Sequence, residues 1–116
     1  MYADIDFWLA LLTQNDDEST AALLDQYGDD LEVSLVTFLQ LFALEPDYEF
    51  DRERAITAML TLADYDGEAD VLYRASDYRE AGLGPYESFH AALGDDSVIS
   101  SSQSYDDVGI RRLWME

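Results

Sequence analysis

Apolar residues recur along this chain three and four positions apart, with capping and breaking residues between the runs, so the pattern predicts a largely helical protein. Phe7, Trp8, Leu11 and Leu12 give a short first helix after Asp4. Asn15 followed three residues later by Glu18 has the form of a capping box, opening a second helix through Leu23, Leu24 and Tyr27 that Gly28 stops. Asp30 is placed to cap a third, Leu31 to Leu44, whose apolar residues surround nearly the whole cylinder and mark it as the central, most buried element. Its β-branched residues leave a strand as the lesser alternative. Pro46 ends it by disfavouring the α conformation at Glu45. A fourth helix from about Asp51 carries Ala55, Ile56, Met59, Leu60 and Ala63 on one face until Gly67.

The second half reads less regularly. Asp70 to Ala75 suggests a short strand and Ser76 to Ala81 a helical turn. Gly84-Pro85 is a good helix start, with proline at the first helical position, and that helix runs to Gly94. The serine-rich stretch after Gly94 fits a loop or an edge strand around Val98 and Ile99, and Ser104 with Asp107 can cap a last helix carrying Ile110, Leu113 and Trp114. The expected fold class is mainly α, a compact single-domain bundle of about five to six short helices with room for a short β-hairpin in the second half. No internal repeat or long linker divides residues 1–116.

The chain can fill a core. Its 48% hydrophobic content and its eight Tyr, five Phe and two Trp separate it from disordered acidic tails, which are poor in such residues. Cysteine is absent, which removes disulfides, thiolate metal sites and a cysteine nucleophile and fits a reducing cytoplasm. The N-terminal stretch carries acids where a signal peptide needs basic residues, and polar residues interrupt the most apolar run, so a cytoplasmic protein without membrane attachment is expected.

Charge changes the picture most. The chain has 26 acidic residues against six arginines and no lysine, a formal charge of −20, far beyond the magnitude of about 2 to 8 that keeps a small domain soluble. Such an excess costs stability through self-repulsion and calls for a reason. Acids occupy every second position at Glu45, Asp47, Glu49, Asp51 and Glu53, and again at Asp64, Asp66, Glu68 and Asp70. In an extended segment that spacing sets carboxylates on one side about 6.6 Å apart, a scale similar to nucleic-acid phosphates. The plain alternative is a solvated loop whose aspartates cap helices and form turns. Further clusters are Asp16-Asp17-Glu18, Asp29-Asp30, Asp95-Asp96 and Asp106-Asp107. Tyr48, Tyr65, Tyr78, Tyr86 and Tyr105 each adjoin an acid, and Tyr27 lies one residue from Asp29. Acid beside tyrosine suits a groove lined with arginine and lysine. The candidate partner-binding residues are therefore Glu45, Asp47, Tyr48, Glu49, Asp51, Asp64, Tyr65, Asp66, Glu68, Asp70, Asp16, Asp17, Asp29 and Asp30.

Other chemistry finds little support in the residues. Gly67 falls at position 4 counted from Asp64, whereas an EF-hand loop needs glycine at position 6, so no metal or other cofactor is expected. His90, the single histidine, stands on a predicted helix with no nucleophile motif and is expected to be a partly buried structural residue in a protein that is not an enzyme. The six arginines lie among acids and are expected to tie the acidic surface together.

In size, folded composition and dispersed negative charge the chain resembles the acidic DNA-mimic inhibitors of phages and mobile elements, a class that includes anti-CRISPR and anti-restriction proteins. The resemblance rests on whole-chain character and carries no diagnostic motif. It implies a basic nucleic-acid-binding protein or complex as partner, a Cas effector foremost, with no direct binding of nucleic acid and with a homodimer as one way to lengthen the charged face. Two alternatives explain the same charge. One is an immunity protein or antitoxin that plugs a basic nuclease toxin, and the other is a halophile-adapted domain whose acids answer to solvent.

Overall fold

A computed structural model describes residues 1–13, 18–48, 50–94 and 97–114. The fold is mainly α: six α-helices and three 3-10 helices stand among the described residues beside two short pairs of strands. The chain forms two compact units, Met1–Glu68 and Ala69–Glu116.

The first unit begins with α1 (Ile5–Leu12), where Asp4 caps the helix by accepting from the Ile5 amide at 2.7 Å. Burial of Ile5, Trp8 and Leu9 gives α1 its inner stripe. Helix α2 (Glu18–Tyr27) follows and passes at Gly28 into a 3-10 turn, Gly28–Asp30. The capping box expected at Asn15 lies outside the described residues. Helix α3 (Leu35–Leu44) buries Phe38, Leu41 and Phe42 completely, as expected of a central element, although Val36 stays exposed. Helix α4 (Arg52–Leu62) starts where the sequence predicts, with the Asp51 side chain accepting from the Arg54 amide at 2.9 Å and with Ala55, Ile56 and Met59 buried.

The third helix starts later than the sequence suggests. Asp30 does not cap it; Ser34 is the N-cap, and Glu32–Val33 form strand β1. Long-range pairing overrides the local pattern here. Strand β1 lies parallel to β2 (Asp64–Tyr65), with Glu32 abreast of Asp64 and Val33 abreast of Tyr65, and Tyr2 bridges Glu32 from the other side. The Leu31 carbonyl accepts from the Asp64 amide at 2.8 Å and the Glu32 amide donates to the Met1 carbonyl at 2.9 Å, so this backbone is committed to a sheet before a helix can use it.

The second unit corrects three further expectations. Asp70 to Ala75 is not a strand: α5 (Ala69–Glu80) runs through it and buries Val71, Leu72, Ala75 and Ser76 at helical spacing. Its C-terminus is a Schellman turn, in which Gly82 at φ 112° donates to the Arg79 carbonyl and Leu83 to the Tyr78 carbonyl, both at 3.1 Å. Helix α6 (Pro85–Leu93) then returns against α5 from the Gly84-Pro85 start the sequence predicts. The expected last helix is also replaced. Residues Gln103–Val108 form a 3-10 helix that Gly109 ends at φ 79°, and Arg111–Trp114 make strand β4. Strand β4 pairs with β3 (Ser97–Ser100) in parallel, so the strand pair of the second half is not a hairpin. Leu83, Ala91, Tyr105 and Ile110 form the core beneath it.

Candidate functional site

The parallel pairing of β1 with β2 gathers carboxylates that are distant in sequence. Partners abreast in a ladder project from the same face, with strands about 4.8 Å apart, so Glu32 and Asp64 stand side by side, both exposed. Asp30 joins them: the Met1 ammonium lies 3.3 Å from its carboxylate and 3.6 Å from that of Glu32. Asp66 follows Asp64 by two residues and is exposed as well. The opposite face supports this row. Val33 is buried, and the Tyr65 ring meets Phe38 edge-on at 5.3 Å between centroids. Burial, with Asp66 adding to it, pushes the Tyr65 phenol above its ordinary range. Like charges abreast in a sheet are unfavourable, and one ammonium does not balance the three carboxylates of Asp30, Glu32 and Asp64.

Of the residues singled out from sequence, Asp64 stands on this face, Asp30 joins it through the Met1 ammonium, Asp66 is exposed just past the end of β2, and Asp29 is exposed in the 3-10 turn. Tyr65 turns inward from it. Glu68 is exposed before α5, and Asp70 is exposed in the first turn of α5, 3.6 Å from Arg74. Asp16, Asp17 and Glu49 lie outside the described residues. Glu32 was missed by sequence reasoning because it stands alone in an apolar run; the apolar, acidic, apolar alternation of Leu31, Glu32 and Val33 was the available signal.

The other candidate run is not laid out as a row. Glu45–Asp47 form a 3-10 turn, so the extended spacing fails there. Glu45 reaches the buried Arg52 guanidinium at 3.1 Å, which also stacks 5.5 Å over the Phe42 ring. Asp51 is occupied as the α4 cap. Asp47 and Tyr48 are exposed. Structural duties, as the plain alternative has it, account for Glu45 and Asp51.

Arginines act as internal ties elsewhere too. Arg74 donates to the Ala92 carbonyl and Arg79 to that of Leu83. Arg112 makes a two-pronged contact with Asp106 at 3.1 and 3.0 Å while donating to the Ser100 carbonyl, which fixes β4, β3 and the intervening 3-10 helix together. This hydrogen-bonded pairing lowers the Asp106 carboxyl below its usual range. His90 is exposed rather than partly buried, at the edge of a cleft of about 490 Å³ lined also by Tyr105 and β3. Among the described residues no group of three or more metal-ligating side chains is placed to hold an ion, and no helix is long and apolar enough to cross a membrane.

Compared with known proteins, the chain matches no protein-family model, no curated protein and no solved structure.

Proposed function

We propose that this protein is an inhibitor of the phage or mobile-element type, which occupies the nucleic-acid-binding surface of a bacterial defence complex, a CRISPR-Cas effector or a restriction enzyme, by presenting carboxylates where phosphates would bind. The observation that carries this reading is the pair Glu32 and Asp64 set abreast on the sheet, with Asp30 sharing the Met1 ammonium with Glu32, an arrangement that costs the fold repulsion. A fold gains nothing from like charges set abreast, whereas a partner rich in lysine and arginine does. The rest of the −20 charge adds long-range attraction toward such a partner.

The test is retention of proteins from bacterial lysate on the immobilised chain, followed by mass spectrometry and elution with either salt or duplex DNA. The expected result is a DNA-targeting complex released by both. The variant Glu32→Gln/Asp64→Asn then loses binding to that complex while its urea midpoint holds or rises. Retention that DNA does not compete, or a variant that loses stability and keeps binding, rejects the reading. A protein that retains nothing and folds only in concentrated salt carries its acids for solvent instead.

A further inference from the structure

The first unit has an apolar cleft of about 370 Å³ between the N-terminal segment, α1 and α2, walled by Met1, Tyr2, Phe7, Leu23, Tyr27 and Leu31. Three of these, Met1, Tyr2 and Leu23, are about half exposed and line the same cleft, so they make a patch rather than scattered single residues. The walls are held in place. The Tyr2 hydroxyl is bonded to Ser34 Oγ at 2.7 Å and Thr37 Oγ1 at 2.9 Å, and the Tyr27 hydroxyl accepts from Gln26 Nε2 at 3.1 Å. The Tyr2 ring is therefore held by partners more than thirty residues away before any ligand arrives, which lowers the entropy lost on binding.

The surroundings of the cleft select its occupant. Asp4 is among its lining residues, and Tyr2 is itself bridged to Glu32, so the cleft is continuous with the acidic sheet face. A side chain that suits it needs an apolar stem and a cationic head. Arginine meets both needs: its methylenes pack on the apolar wall, its guanidinium stacks on a tyrosine face, and its charge meets the carboxylates. We infer that this cleft receives an arginine side chain of the basic partner, anchoring the complex beside the charge row. The inference rests on the polyanion reading and adds to it a contact that salt does not screen, because apolar burial is not electrostatic.

Two homopeptides of equal length and charge separate the two ideas, one of arginine and one of 2-amino-3-guanidinopropionate, whose stem is two methylenes shorter. Binding of each to the full chain is followed by calorimetry and by NMR of the side chains of Leu23 and Phe7, with and without added salt. The arginine peptide is expected to bind about tenfold tighter per anchored side chain, the worth of two buried methylenes, and to shift those resonances. Leu23→Ser, a change at an exposed position, is expected to abolish the difference between the peptides while leaving the shorter-stemmed one unaffected. Equal binding of both peptides with no shift at Leu23 or Phe7 overturns the arginine cleft and leaves the polyanion reading standing. Binding of neither overturns both.

Discussion

Gly67 shows how a single atom position is set by its surroundings. A Cβ there would collide with the hydroxyl and Cζ of Tyr65, whose ring is held by its contact with Phe38. Gly67→Ala is therefore expected to cost about 1–3 kcal/mol, the usual range for an overpacked site, read as a fall in the urea midpoint. The same tyrosine, with Tyr105 in the second unit, makes stability depend on alkali. Burial raises both phenols above 10.0, helped by Asp66 at Tyr65 and by Glu87 at Tyr105. Below that value both are protonated whether the chain is folded or not, and their contribution is constant. Above it the unfolded chain loses protons that the folded chain keeps, so stability falls as pH rises through the folded values. Urea midpoints compared between about pH 9 and about pH 11 are expected to drop, and Tyr65→Phe is expected to lessen the drop. An unchanged midpoint would show the two phenols to be ordinary.

Helix ends tell most about which elements form. Asp4, Asp51 and Pro85 open helices where the sequence predicts, because a cap acts on amides within its own turn. The errors fell on residues 31–33, on Asp70–Ala75 and on Arg111–Trp114, short segments with β-branched or aromatic residues whose state depends on contacts far along the chain. Gly82 decides where α5 turns back toward α6. At φ 112° an alanine is strained, so Gly82→Ala is expected to cost about 1–2 kcal/mol in chemical denaturation. Gly28→Ala is the control. A Cβ there meets only Leu24 at an ordinary 3.7 Å, and the midpoint is expected to change far less.

Charge acts on the chain as a whole. With −20 on 116 residues, repulsion among exposed carboxylates opposes the folded state, while the arginine ties to Glu45, Asp70 and Asp106 offset it only locally. Added sodium chloride is expected to raise the melting temperature through screening, and to weaken binding to a basic partner over the same range. A melting temperature that falls with salt would show that the arginine ties outweigh the repulsion. Opposite responses of folding and binding are what the proposed polyanion surface predicts, since under that proposal the carboxylates that strain the fold would serve the partner.

By itself the sequence determined the mainly α class, the openings of α1, α4 and α6, the buried role of α3 and the acidic character of the surface. All of these follow from composition or from contacts within a turn or two of helix. The parallel pairing of β1 with β2 and of β3 with β4 depended on segments brought together from afar, and so did the gathering of Asp30, Glu32 and Asp64. Alternating acids looked like a site in both runs. Only the backbone around them separated the two: Glu45 turned in to Arg52 and Asp51 became a cap, whereas Asp64 was set abreast of Glu32. A carboxylate's role depends on what lies opposite it, and that is a property of strand register, which no local spacing encodes.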